Sequence, residues 1–234
     1  MKALLTGLGL ILLINGVSFS NNSAPDPNDI IAKTREVYRS IQDFSASVQI
    51  EINVDFINIP DKSAKIIYKY PDKIKFKSKS FIMLPKKGIG FMIFKLLEGK
   101  NTVLYTGIHS INSRELYTVK IIPQEEDSDV VLATLYIDNE DHRIYRLEAT
   151  SRDAGFFRTD FEYGGYGPLP TSNRIQFEVD KVRIPLRFLG KVDIDRSKMK
   201  SGTKGEVILR FEEYQINEGI QDELFDEEIE IQSE

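Results

Sequence analysis

Two histidines and no cysteine are the whole inventory of soft metal ligands in this 234-residue chain. His109 and His142 fall in or beside expected turns and far apart in sequence, so a zinc site would have to recruit both together with carboxylates. The run Asp138-Asn139-Glu140-Asp141 lacks the spacing and the glycine of a calcium loop and reads as a hairpin turn. No G-x-S-x-G elbow is present. Neither is a P-loop or a strand-linked G-x-G-x-x-G, and Gly88-Ile89-Gly90 is too short to count. Any fold could draw a carboxylate pair from 36 acidic residues, but nothing singles one out. No catalytic residue, metal set or cofactor is expected. The chain reads as a non-enzyme.

One further set of charges is in register. Lys73, Lys75, Lys77 and Lys79 line one face of a strand, with Ile74, Phe76, Ser78 and Ser80 on the other. Such a row is either a ladder for phosphate or an acidic partner, or a solvated face that protects a sheet edge. A net charge of −5 argues against nucleic acid as partner.

The elements that must carry these residues are mostly strands. Leu132 to Tyr166 holds three alternating segments joined by two polar turns, with Tyr145, Leu147 and Ala149 on one face and Arg146, Glu148 and Thr150 on the other. Two short turns in succession make a meander. From Ala46 to Phe56 the alternation has no exception, with Ile50, Ile52 and Val54 on the apolar side. Ala64 to Tyr70 repeats the pattern until Pro71-Asp72. Further strands are expected at Thr102 to Ile108, Glu115 to Ile122, Ile175 to Val179, Leu186 to Asp195 and Gly205 to Asn217. The expected fold class is mainly β (α+β): a single antiparallel sheet of about ten strands.

One helix stands out ahead of the sheet. Asp26 is a plausible N-cap with Pro27 at the first helical position, and Ile30, Ile31, Val37, Tyr38 and Ile41 fall near one face.

The segment Phe81 to Leu97 breaks the order. Its apolar residues neither alternate nor fit a long helix, and Pro85, Gly88 and Gly90 interrupt them. Phe81, Met83, Ile89, Phe91, Met92, Phe94 and Leu96 would be costly to expose. The segment is either a buried crossing or an adaptable lid over an apolar cavity.

At the N-terminus, Met1-Lys2 precedes an apolar run from Ala3 to Ile14 and a small, polar stretch. This is the layout of a secretory signal peptide over residues 1–20, too short for a span of ~20 apolar residues. A linker follows over 21–28, then a domain over 29–225 and an acidic tail over 226–234. Without a cysteine there is no lipid-anchor site, so the expected location is the periplasm, as a monomer, with an uncleaved N-terminal anchor as the alternative.

The order of these pieces resembles the bacterial lipoprotein-carrier (LolA-like) superfamily, including outer-membrane lipoprotein-sorting proteins. The resemblance rests on DIIAKTREVYRSIQDFSASVQIEI, YKYPDKIKFKS, RELYTVKIIPQ, LATLYIDNEDHRIYRLEA and GEVILRFEEYQINEGIQDELF, in that order from Asp29 to Phe225. It implies an unclosed half-barrel with a helix and a lid on its concave side, binding acyl chains of a lipoprotein or another lipid without a cofactor. Membrane-bound donor and acceptor proteins would be its partners. Ile50, Ile52, Val54, Phe76, Tyr145 and Leu147 would then line the cavity under the lid. Where such carriers place an arginine after the proline this chain has lysines, of which Lys75 is the candidate polar latch. The alternative on the same fold is a periplasmic sensor or protein-interaction module that carries no lipid.

Overall fold

A computed structural model describes residues 24–58, 60–78, 92–126, 128–152, 155–178, 193–194 and 204–226. Asp26 caps the first helix, α1 (Pro27–Arg39), accepting the Asn28 N–H at 2.9 Å, and Pro27 supplies a preset φ where no N–H is needed. Ile30, Ile31 and Tyr38 are buried along one side of it. Thr34 interrupts the apolar stripe at no cost, because its hydroxyl donates to the Ile30 carbonyl at 2.9 Å.

The strands are β1 (Asp43–Val54), β2 (Ile57–Asn58), β3 (Lys62–Lys69), β4 (Lys73–Lys77), β5 (Asn101–Ile111), β6 (Arg114–Pro123), β7 (Val130–Asp138), β8 (Ile144–Ser151), β9 (Gly155–Tyr163), β10 (Pro170–Glu178), β11 (Asp193–Ile194) and β12 (Lys204–Ile216). Helix α2 (Met92–Glu98) precedes β5, and α3 (Glu223–Asp226) follows β12. All strands pair antiparallel in one sheet, in the order β4-β3-β1-β12-β10-β9-β8-β7-β6-β5, with β2 and β11 continuing beyond the end of β1. Among the described residues β4 pairs with β3 and β5 with β6, so the ends do not meet and the half-barrel stays unclosed. Ten strands have five residues or more, which matches the number legible in the sequence.

Period two carries one row of side chains across eight strands: Ile52, Val207, Ile175, Thr159, Leu147, Leu135, Val119 and Tyr105 oppose one another in turn. This inner face is the one that α1 and α2 cover, and its residues join theirs in a single core. Register shifts at five places insert one residue each, which bends the strands and increases twist.

Several boundaries differ from the expectations. His109 lies within β5, and the turn is the two-residue Asn112-Ser113 with φ of 49° and 64°, the primed geometry that matches strand twist. The single helix becomes three, because α2 and α3 are too short to show a period in sequence. Of the Phe81 to Leu97 segment, residues 81–91, with Phe81, Met83, Ile89 and Phe91 among them, lie outside the described residues, and 92–97 belong to α2. The strand expected at Leu186 to Asp195 is described only at Asp193–Ile194.

The lysine row is not merely solvated either. Lys69 and Lys73 reach Asp222, Lys75 donates to the Leu224 carbonyl at 3.0 Å, and only 8% of Lys75 is exposed. The segment after β12 is tied to the sheet in this way, and its short helix α3 packs on β4.

Candidate functional site

Helices α1 and α2 do not fill the inner face completely. Between them and the sheet lies an apolar pocket with a cavity of about 40 Å³. Its walls are Tyr38 from α1, Ile93 and Phe94 from α2, Phe161 and Tyr163 from β9, and Leu209, Phe211 and Tyr214 from β12. Phe44 of β1, Asn173 of β10 and Pro168-Leu169-Pro170 complete it. None of these described lining residues is charged.

Helix α2 closes one side. Phe94 stacks on Tyr68 at 4.6 Å between ring centroids and meets Tyr38 edge-on at 5.8 Å. Ile93, Leu96 and Leu97 are buried with it. Among the described residues the polar ties to this helix hold its C-terminal half: Arg35 Nε donates to the Leu97 carbonyl at 2.6 Å, Asn101 Nδ2 reaches the Leu96 carbonyl, Arg39 pairs with Glu98 through two bonds, and Lys95 lies 3.9 Å from Glu125. The bond from Arg39 holds the Glu98 carboxyl below its ordinary value, against the opposing pull of partial burial.

The opposite wall is anchored by phenols. Ile144 N–H donates to the Tyr38 hydroxyl at 3.1 Å, the Tyr38 and Tyr163 hydroxyls lie 2.9 Å apart, and Tyr163 donates to the Ile144 carbonyl at 2.6 Å. Burial pushes the Tyr38 phenol up to about 12, an effect only partly offset by its bonds, and pushes Tyr163 well above the ordinary range. The Arg143 guanidinium lies 4.6 Å over the Tyr163 ring.

The loop from Gly164 to Leu169 forms the rim. A Cβ on Gly164 would come within 2.7 Å of Thr171 Cγ2, so that side chain would have to shift, and Gly167 has φ +60°, a conformation that favours glycine. Tyr166 rests on Tyr214 at 4.8 Å between centroids. Tyr214 itself is turned inward by an extra residue in β12: Glu213, at φ 56°, absorbs the register shift, so Phe211 and Tyr214 share the inner face although they are three apart.

The residues singled out from sequence divide by position. Ile50, Leu147, Phe94 and Leu96 are buried in the core, and Val54 is buried too, while Ile52 and Phe76 are partly buried against the core. Of these only Phe94 lines the pocket. Tyr145 is the extra residue of a bulge: Ile144 takes the inner place opposite Ile137, and the Tyr145 ring lies at the rim against Arg114 and Tyr163. Lys75 points to the outer face, opposite Ile74 and Phe76, where it holds the tail. Met92 begins α2, and nothing further is described of its side chain.

The lining residues missed by the sequence reading are chiefly Phe44, Tyr163, Leu169, Asn173, Leu209, Phe211 and Tyr214. For Tyr38 the helical face was a signal. For Phe211 and Tyr214 strict alternation misleads, because the bulge is invisible in it.

Elsewhere, Asp138 is the hub of the β7–β8 turn. It accepts the Glu140 and Asp141 N–H groups at 2.9 and 3.0 Å and the Arg114 guanidinium at 3.0 Å. Burial acts to raise its pKa, but these bonds outweigh it and the net shift is downward. Among the described residues no group of three or more His, Asp or Glu could hold a metal ion.

No family model and no curated protein matches the sequence. Solved structures do share the fold. A LolA superfamily protein from Nitrosomonas europaea superposes with a TM-score of 0.59 at 12% identity, over 86% of this chain and 98% of the other. A DUF1329 family protein from Desulfovibrio piger gives 0.54 at 11%, over 86% and 98%. A domain from Vibrio parahaemolyticus named for outer membrane lipoprotein sorting gives 0.51 at 9%, over 86% and 97%. At these identities the likeness is one of fold alone.

Proposed function

We propose that this chain is an exported, non-enzymatic carrier that takes acyl chains of a lipoprotein or another lipid against the inner face of its half-barrel and transfers them between envelope membranes. The observation that carries the reading is the uncharged pocket, walled by side chains of α1, α2, β9, β12 and the Gly164–Leu169 rim. Such a surface binds by area rather than by specific polar contacts, at ~25 cal/mol per Å² of apolar surface covered. The fold shared with a lipoprotein-sorting domain supports the same reading.

A cavity of about 40 Å³ is far below the roughly 300–1,000 Å³ of ligand pockets, and on this reading it belongs to an unloaded, closed carrier. Loading then requires α2 to move off Tyr38 and Tyr68. Among the described residues its polar ties hold its C-terminal half, which suits a helix that swings rather than unfolds.

One observation favours a second reading, a periplasmic sensor or interaction module. Leu104, Ile122 and Phe156 alternate onto the outer face and are 59%, 50% and 47% exposed. Titration with an environment-sensitive fatty-acyl probe separates the two. Saturable binding, weakened by Phe94→Asp and untouched by Phe156→Asp, supports the carrier; no binding to the unmutated protein supports the module.

A further inference from the structure

Asn173 and Thr159 are polar residues in the apolar inner face, and each has an oxygen left unpaired there among the described residues. In the row that crosses eight strands, Thr159 is the one residue that is neither aliphatic nor aromatic, and it is fully buried. Asn173 is 3% exposed and sits in the neighbouring row between Leu209 and Phe161, diagonal to Thr159 across the β9–β10 pair. Asn173 is one of the residues that line the pocket. Among the described residues, both Asn173 Oδ1 and Thr159 Oγ1 are buried without a hydrogen-bond partner.

Leaving such an atom unpaired is costly, and an apolar residue of the same shape at either position would remove the cost. β10 offers no compensation, since asparagine is depleted in strands. The charged groups that could have satisfied Asn173 are absent from the pocket lining.

We infer that Asn173 Oδ1 is the acceptor for a neutral hydrogen-bond donor on the bound chain, an amide N–H or a hydroxyl, with Thr159 Oγ1 beside it as a second point of contact. This rests on the carrier reading and deepens it. The preferred ligand is an acyl chain bearing an amide or hydroxyl at the end that enters the pocket, rather than a bare hydrocarbon or an ionised carboxylate. A carboxylate would meet an acceptor oxygen in a wall without a cation. An amide and a hydroxyl offer the same donor, and they differ in whether a carbonyl is there to accept from Thr159.

The test uses the full mature chain and four probes of one length: a primary alcohol, a primary amide, the alkane and the fatty-acid anion. The reading is the ratio of wild-type to Asn173→Leu affinity for each, which cancels the differing solubilities. One hydrogen bond of about 1 kcal/mol corresponds to roughly a fivefold ratio for the alcohol and the amide, against a ratio near one for the alkane. Asn173→Leu is also expected to melt no lower than the wild type, because it removes an orphaned polar group; Asn173→Ala gives the same ratios should the leucine prove too large.

Equal ratios for all four probes overturn the inference and leave the carrier intact; the oxygen is then met by a buried water. If no probe binds the wild type, the carrier reading falls and this inference with it. An amide preference that Thr159→Val reduces, alongside an alcohol preference that it leaves alone, assigns the ligand to the amide class.

Discussion

The hydroxyl of Tyr38 on α1 stands 2.9 Å from the hydroxyl of Tyr163 on β9, and the two phenols close a ring through both backbone groups of Ile144. This contact pins the helix that roofs the pocket to the middle of the sheet. Replacing Tyr38 by Phe deprives the buried Ile144 N–H of its acceptor and the Tyr163 hydroxyl of its neighbour. The expected loss is about 1–3 kcal/mol in urea denaturation, the cost of an orphaned buried donor. Tyr163→Phe orphans the Ile144 carbonyl and also takes the acceptor from the buried Tyr38 hydroxyl, so a loss of similar size is expected.

The same phenols set an alkaline limit. Both have folded pKa values raised above the ordinary tyrosine value of 10, Tyr38 to about 12, because burial disfavours the phenolate. A group raised in this way contributes stability that is complete below the unfolded pKa and lost as pH rises through the folded one. Stability should therefore decline from about pH 10 upward. In an absorbance titration of the ten tyrosines, Tyr38 and Tyr163 should ionise together with unfolding, and the exposed phenols before it.

Phe94 is the side chain of α2 most committed to the pocket. Phe94→Ala should cost about 3–5 kcal/mol, as large-to-small changes in cores do. It should at the same time increase the amount of acyl probe taken up by the fraction that stays folded, because it opens the wall between Tyr38 and Tyr68. Thermal melts with and without probe read both effects. Loss of stability with no gain in uptake would disconnect α2 from loading.

The pair of Arg39 with Glu98 should act as a catch. Glu98 is held below the ordinary carboxylate value of 4.5 by the bond from Arg39. Its contribution is therefore complete above that value and lost as pH falls through the lowered one. Stopped-flow uptake should quicken at acid pH and at high salt, since exposed pairs are screened. In Glu98→Gln both dependences should flatten, and an unchanged pH profile would assign the catch elsewhere.

Much of the sheet could be read from alternation, because β1, β6, β7, β8 and β9 each bury one face. What alternation could not show is where a single inserted residue reverses it. Glu213 brings Tyr214 inward beside Phe211, and the bulge at Tyr145 sends that ring to the rim while Ile144 goes in. The candidate residues Ile50 and Ile52 lie directly opposite Leu209 and Val207 of β12, but away from the end of that strand where Phe211 and Tyr214 wall the pocket. The lysine row was legible as a row. Its partner, the Ile220–Leu224 segment, was not, because a long-range contact leaves no local period. Asn173 carried no signal at all, since one polar residue in an otherwise alternating strand reads as an ordinary exception.

The central claim, that the inner face carries acyl chains, is tested most directly by native mass spectrometry of the protein purified from its host. The account predicts added masses of one or more acyl-bearing molecules on the unmutated protein, retained in Phe156→Asp and lost in Phe94→Asp. An unmutated protein that flies at its bare polypeptide mass from several preparations, and stays bare after incubation with host lipid extract, would contradict it.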